Sequence, residues 1–200
     1  MNKKYYSQAG QDEWVDNFFA SKKYGYFLDI GAYDGIKLSN TYYLEKDLLW
    51  NGICIEADPV IFKKLCVNRK CKTVNIAVSD GEGTIGFASS GLTGRISDSG
   101  EIRVNTSSLK KIIMDHKCPE VIDYISLDIE GYESIALSEF PFDTHQFAIM
   151  TVEHNLYLGS DVNKKKINEI LTSKGYVIYK ENIEDSGYKF EDWYVDKRFL

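Results

Sequence analysis

Tyr26-Phe27-Leu28-Asp29-Ile30-Gly31-Ala32-Tyr33-Asp34-Gly35 is the stretch on which the fold turns. It opens as an apolar run interrupted by a single acid and then breaks at glycine. A run apolar on both of its faces suits a strand covered on both sides, as in a parallel sheet. After Gly35, the residues Ser39, Asn40 and Thr41 offer caps for a helix carrying Leu44, Leu48 and Leu49. Strand, glycine turn and amphipathic helix make the first half of a βαβ unit.

The same alternation continues along the chain. Gly52-Ile53-Cys54-Ile55-Glu56 predicts a second strand, and Asp58-Pro59 opens a helix with Phe62, Leu65 and Cys66 on one face. A third strand is expected over Thr73 to Val78, then a Gly81–Gly83 break and a short strand near Thr84–Ala88. Ser89 to Asn105 is rich in Gly, Ser, Asp and Thr and reads as a long loop, either a lid or a mobile connection. Ser107 and Ser108 then cap a helix with Leu109, Ile112, Ile113 and His116 on one face. Tyr124–Asp128 and Phe147–Glu153 predict the fourth and fifth strands. Ser160 and Asp161 cap a helix through Val162, Ile167, Ile170 and Leu171 that stops at Gly175. Short strands near Tyr176–Lys180 and Trp193–Val195 predict an antiparallel pair at one edge of a mostly parallel α/β sandwich.

The chain has 200 residues, 24 basic against 30 acidic, for a net charge of −6. That length suits one domain with its own core, here residues 1–200 without repeat or linker. The charge disfavours a duplex-coating nucleic-acid binder. No signal-peptide pattern or membrane-length apolar run is present, so a cytoplasmic location is the expectation. Cys54, Cys66, Cys71 and Cys118 show no zinc spacing. Cys54 reads as a core thiol, and a Cys66–Cys71 disulfide is disfavoured in a reducing compartment.

Four predicted strands end in acids: Asp29, Glu56, Asp128 and Glu153. Singly, each acid is explained as a cap for the following helix. Parallel strands, however, place all four on one rim, where ligands of open α/β sheets bind. The first turn is not G-x-G-x-x-G, and Tyr33 obstructs the close backbone approach that a pyrophosphate needs. Glu56 is positioned for a ribose diol, as an acid at the tip of a second strand can be. A ribose with a cationic, phosphate-free remainder describes S-adenosylmethionine better than NAD or ATP.

At these residues the chain resembles a known family. Phe27-Leu28-Asp29-Ile30-Gly31-Ala32, Glu56-Ala57-Asp58-Pro59, Ala77-Val78-Ser79-Asp80 and Ser126-Leu127-Asp128-Ile129-Glu130-Gly131-Tyr132-Glu133 resemble successive motifs of the FkbM-type S-adenosylmethionine-dependent methyltransferases. Ser7-Gln8-Ala9-Gly10-Gln11-Asp12 and Val152-Glu153-His154-Asn155 resemble blocks of one branch of it. The resemblance implies a Rossmann-like, seven-stranded methyltransferase fold and O-methylation, with sugar hydroxyls a frequent acceptor class. It also implies that Asp29, Gly31 and Asp34 line the methionine part of the cofactor, joined by Asp128 nearby. Glu56, with Ala57, would hold the ribose, and Ala77, Val78 and Asp80 would flank adenine. Asn40 would bond the cofactor's carboxylate end or serve only as a helix cap.

An alcohol acceptor must lose a proton as it attacks. Asp128, Glu153 and His154 are the candidates, in one version as general base and in the other as ligands of Mg²⁺ or Mn²⁺. The base is preferred. Glu130 ranks behind them as a catalytic residue, and Glu133 reads as an acid at a helix N-terminus. His116, His145 and the lysines Lys164–Lys166 read as surface groups. A hydroxyl acceptor, small molecule or glycan, would be recognised by the N-terminal helical segment 1–24, the Ser89–Asn105 loop and the residues after Asn155. Nucleic acid is not expected as a partner. The rival reading is a non-catalytic nucleotide-binding domain. On the favoured reading Asp29, Asp34, Glu56, Asp128 and Glu153 gather on one rim, so the acidity is local.

Overall fold

The apolar runs form the centre of a seven-stranded sheet in the computed structural model of this protein, which describes residues 3–200. The strands of that sheet are β1 (Tyr26–Ile30), β2 (Asn51–Glu56), β3 (Lys72–Asn75), β8 (Val121–Leu127), β9 (Gln146–Glu153), β10 (Tyr176–Asp185) and β11 (Tyr188–Asp196). Four further strands, β4 (Ala77–Val78), β5 (Gly83–Ala88), β6 (Arg95–Ile96) and β7 (Ile102–Ser107), form a second, smaller sheet. The helices are α1 (Gln11–Phe18), α2 (Tyr42–Leu48), α3 (Pro59–Asn68), α4 (Leu109–Asp115), α5 (Glu133–Ser138) and α6 (Val162–Ser173). Met1 and Asn2 of the expected N-terminal segment lie outside the described residues.

The main sheet runs β10-β11-β9-β8-β1-β2-β3. Neighbours from β3 to β9 pair in parallel, and β11 is antiparallel to both β9 and β10. The chain builds outward from β1 to β3 and then returns to place β8 on the other side of β1. The ends of β1 and β8 therefore form a switch point, where adjacent loops diverge and leave a crevice. Leu28 and Ile30 join Leu109, Ile112, Leu137 and Leu171 on one face of the sheet. Phe27 points the other way, to Val15, Leu44 and Leu65. Both faces are thus covered, as the unbroken apolar character of β1 requires.

Asp58 caps α3 as expected, accepting from the N–H groups of Val60 (2.7 Å) and Ile61 (3.2 Å) with Pro59 in the first turn. Ser108 caps α4, while Ser107 ends β7. At α2 the backbone N–H groups of Thr41 and Tyr42 donate to Ser39 Oγ, and the Asn40 side chain turns to Ser126. At α6 the Asp161 side chain makes no cap, while Ser160 Oγ accepts from the Val162 N–H at 3.4 Å.

The expected strand over Thr73–Val78 is two strands in two sheets. β2 ends at Glu56, opposite Asn75, so the chain beyond has no partner there. Asn75 Nδ2 closes the pairing by donating to the carbonyls of Glu56 and Ala57, and β4 moves across to β7. The expected Ser89–Asn105 loop also contains structure: a 3₁₀ turn at Gly91–Thr93, β6 and the first four residues of β7. Glycine permits it, because a Cβ on Gly100 would lie 2.2 Å from the Phe87 nitrogen.

The C-terminal strands run to 10 and 9 residues, longer than expected, and join through Ser186-Gly187. Both turn residues have positive φ (52° and 87°), which matches the twist of a two-residue hairpin. All four cysteines are free, and Cys71 lies against Cys54 at 3.5 Å, not against Cys66. Among the described residues no helix is long and apolar enough to cross a membrane.

Candidate functional site

The crevice beyond β1 and β8 divides into two cavities that share Gly31, Tyr33, Asp128 and Glu130. The first, about 610 Å³, is walled by Ile55, Ala57, Ile76, Ala77, Val78 and Phe87. Glu56 lines it as well, and its two oxygens accept from the backbone N–H groups of Tyr33 (3.0 Å) and Asp58 (2.7 Å). Burial pushes the Glu56 carboxyl up to about 7, against those hydrogen bonds. The turn from Gly91 to Ile96 closes the far side, with Gly91, Gly94 and Ile96 on the wall.

The second cavity, about 960 Å³, is polar, and Asp29, Asp128, Glu130, Glu153 and Glu191 line it. Asp29, on β1, accepts from Thr41 Oγ1 at 2.5 Å. Burial raises its pKa, opposed by the buried Arg69 guanidinium at 3.7 Å. Arg69 is itself held by Glu45 Oε2 at 2.6 Å. Asp128 and Glu153, at the ends of β8 and β9, lie within reach of one another, together with Glu133. Asp128 stays open to the crevice, yet desolvation by the atoms around it raises its pKa, and burial with the neighbouring Asp128 charge holds Glu153 well above the carboxylate range. Burial also lifts Glu130 to about 7 and Glu191 to about 8.

Asn155, two residues after Glu153, has φ 54° and is buried. Its Nδ2 donates to Glu153 Oε2 (3.0 Å) and Glu130 Oε2 (3.3 Å), so one amide bridges two acids. Glu191 lies directly opposite Glu153 in the β9–β11 pairing, and its Oε1 accepts from Trp193 Nε1 (2.5 Å) and Gln11 Nε2 (3.1 Å). Gln8 and Gln11 bring the N-terminal segment onto the cavity wall. Asp12 fixes that segment by accepting from the backbone of Tyr6 and the hydroxyl of Ser7.

The structure gathers most of the expected residues and leaves three aside. Asp29, Gly31, Asn40, Glu56, Ala57, Ala77, Val78, Asp128, Glu130 and Glu153 all line the crevice. Asp34 does not. Its Oδ1 accepts from the N–H groups of Ile36 and Lys37, a local turn that occupies the carboxylate. Asp80 is exposed beyond β4 and accepts from Ser79 Oγ. His154 is buried on the side away from the crevice: Nε2 is 3.3 Å from Asp192 Oδ1, and Nδ1 accepts from the Leu156 N–H. Successive strand residues face opposite ways, so the neighbour of Glu153 is turned from it.

The trio Asp128, Glu153 and His154 is therefore not assembled. Asp128, Glu133 and Glu153 instead place oxygens within 4.8 Å of one another. Glu133 already accepts from the N–H groups of Ile129 and Gly131 and from Asn163 Nδ2. Lys164, expected on a solvated face, is half-buried and donates to Asn182 and Asp192. Gln11, Lys37, Asn155 and Glu191 went unread as site residues, although Gln11 and Asn155 stand in two of the quoted blocks.

Residues 29–178 match the family model of the methyltransferase FkbM domain. No curated protein is matched by the sequence. Among solved structures, the fold is similar to that of a methyltransferase FkbM from Methylobacillus flagellatus KT, with a TM-score of 0.59 and 13% identity over 87% of this chain. That match spans only 44% of the Methylobacillus chain. A magnesium protoporphyrin IX methyltransferase from Synechocystis PCC 6803, with S-adenosylmethionine bound, matches with a TM-score of 0.56 and 10% identity. It covers 95% of this chain and 79% of the other. A TehB-like S-adenosylmethionine-dependent methyltransferase from Corynebacterium glutamicum ATCC 13032 Kitasato gives 0.53 and 12%, over 97% and 89% of the two chains. At these identities the structural likeness concerns the fold.

Proposed function

The chain belongs to the methyltransferase FkbM family, and on that premise we propose that it transfers a methyl group from S-adenosylmethionine to a hydroxyl of a sugar, glycan or other small molecule. The observation that carries this reading is the junction of the two cavities at Gly31 and Asp128. An apolar slot bordered by Glu56 opens there into a chamber floored with acids.

The residues present fit that cofactor. Each Glu56 oxygen accepts one backbone N–H and keeps acceptor capacity for a ribose hydroxyl. Asn40 Nδ2 donates to Ser126 Oγ at 2.9 Å, while its Oδ1 is buried without a partner among the described residues. An orphan acceptor beside Asp29 suits an amino group, so Asn40 is better assigned there than to the carboxylate end. Lys37, at the rim of the same chamber, suits the carboxylate. A pyrophosphate would instead meet Asp29, Asp128 and Glu130.

When bound, S-adenosylmethionine supplies a methyl group on a sulfonium, open to in-line displacement. The protein's part is to position the acceptor hydroxyl and take its proton. A carboxyl whose pKa is raised is a stronger base once ionised, the positive charge of a bound cofactor favours that ionised form, and Glu153, adjoining Asp128, is placed for the role. Asn155 holds the Glu153 carboxylate on the crevice side. A second reading, in which Asp128 and Glu153 hold Mg²⁺ or Mn²⁺ with Glu133 in place of His154, is favoured by the close approach of their oxygens. Residues 1–200 act on this reading as one domain, with Gln8 and Gln11 completing the site. The free thiols suit a reducing cytoplasm.

Calorimetry with S-adenosylmethionine and NAD tests the proposal. Binding of the former, lost in Glu56→Ala, is expected. Preference for NAD, or no binding of either, rejects it. Cofactor binding without methyl transfer to any hydroxyl compound favours the non-catalytic domain. Transfer that survives chelation and gains nothing from Mg²⁺ or Mn²⁺ favours the base over the metal.

A further inference from the structure

A third cavity, about 510 Å³, opens beside the polar chamber and shares Gln8, Glu153, Tyr157 and Phe190 with it. Its outer wall is the tip of the β10–β11 hairpin, with Asp185, Ser186 and Tyr188. The rings of Tyr157 and Tyr188 meet edge to face, centroids 5.5 Å apart at 67°. Both are open to solvent, at 41% and 59% exposure, so the pair presents aromatic surface at the cavity.

Asp185 is held in this wall by neutral partners. Its Oδ2 accepts from Gln8 Nε2 at 2.7 Å and its Oδ1 from Ser186 Oγ at 3.3 Å. Glu153, at the inner end, is held by the Asn155 amide. No lysine or arginine is paired with either carboxylate among the described residues. The cavity therefore combines an exposed aromatic pair with one carboxylate, Asp185, that no lysine or arginine neutralises.

A neutral polyol would stack on a ring and donate hydrogen bonds to Asp185 but leave its charge unpaired. A phosphate or carboxylate would meet a like charge at Asp185. An ammonium satisfies both elements at once, through an aromatic face and through the Asp185 carboxylate. We propose that this cavity seats the ammonium group of the acceptor, which is then a compound bearing both an amine and a hydroxyl, such as an amino sugar, with the hydroxyl directed to Glu153. The word acceptor rests on the methyltransferase reading; the amine site itself does not.

The test titrates the full chain, saturated with S-adenosylhomocysteine, with methyl α-glucosaminide, methyl α-glucoside and glucose 6-phosphate near pH 7, following ligand signals by NMR. The glucosaminide is expected to bind at least about fivefold tighter than the glucoside, with the phosphate weakest. Tyr188→Leu and Asp185→Asn are each expected to bring that ratio close to one, with the affinity for S-adenosylhomocysteine unchanged. Equal or tighter binding of the glucoside overturns the proposal. So does a preference that survives both substitutions, or no binding of either glycoside. Failure of the unsubstituted chain to bind S-adenosylhomocysteine counts against the methyltransferase reading instead. The same titration without it still decides the amine site.

Discussion

A Cβ on Gly31 would lie 1.7 Å from the backbone carbonyl oxygen of Asp128, and Gly31 holds φ at +90°. The turn after β1 and the end of β8 are therefore pressed together backbone to backbone, and the two cavities meet where they touch. Gly31→Ala cannot be absorbed by moving a side chain, because the obstacle is main chain. It is expected to lower unfolding free energy by about 3 kcal/mol or more and to abolish cofactor binding. Gly131 also has positive φ, at +107°, but nothing stands within 4 Å of its Cβ position. Gly131→Ala should cost only the backbone strain, about 1–2 kcal/mol. Urea melts of the two variants check this, and equal losses would show that the contact with Asp128 is not what requires glycine at 31.

Of the carboxyls around the crevice that burial raises, Glu56 and Glu130 reach about 7 and Glu191 about 8. Unfolding returns each to its ordinary value of 4.5. Between those limits the folded chain binds more protons than the unfolded one, so its stability falls as pH rises through the window. The cofactor-free chain is thus expected to melt at a higher temperature at pH 5.5 than at pH 8. Glu191→Gln keeps an oxygen for Trp193 and Gln11 while removing the charge, so it should raise the melting temperature at pH 8 and shrink the difference. Asp16, Glu45 and Asp192 are shifted the other way, and their contribution is lost only at lower pH. A flat profile between pH 5.5 and 8 contradicts the assignment.

The strand-end acids were legible because their signal is local: Asp29, Glu56, Asp128 and Glu153 each close or follow an apolar run that became a parallel strand. What escaped was set by contacts distant in sequence or by very short elements. Gln11 reaches Glu191 across 180 positions, and no periodicity announces such a pair. β4 and β6 have two residues each, too few to show alternation, so the second sheet stayed hidden in a polar stretch. Asp34 stands just before Gly35 in a tight turn, and its carboxylate was better read as the turn's own acceptor. The rim is acidic as expected, but with Glu130 and Glu191 in place of Asp34.

Arg69 is 5% exposed, bonded to Glu45 through Nε and to Thr41 Oγ1 through Nη2, and 3.7 Å from Asp29. It sets the charge beneath the crevice without lining either cavity. Arg69→Met leaves two carboxyls without their cation and is expected to cost about 3–5 kcal/mol. Adding Glu45→Gln should recover part of that loss, because one of the stranded acids is then neutral. Unfolding free energies of the two single variants and the double variant measure the coupling. Strict additivity would mean that Arg69 acts through packing on Phe27 and Tyr42 and not through charge.

Glu153 and His154 are adjacent in sequence but face opposite sides of β9, and this separates their roles. Glu153 opens to the chamber beside Asp128. His154 packs against Asp192, which Lys164 also reaches at 3.1 Å. Glu153→Gln removes the proposed proton acceptor and is expected to lower kcat by roughly 10²–10⁴, with cofactor affinity near that of the unsubstituted chain. His154→Gln should leave kcat within about tenfold and appear instead as a lower melting temperature, by several degrees for about 1–2 kcal/mol lost. Asn155→Ala falls between them: Glu153 loses its tether while keeping its charge, so kcat falls less than in Glu153→Gln and its pH profile moves. Steady-state rates on one acceptor, with melting curves for the same variants, check all three. A His154→Gln chain that is fully stable but inactive would return the histidine to the reaction and contradict the burial that sets it aside.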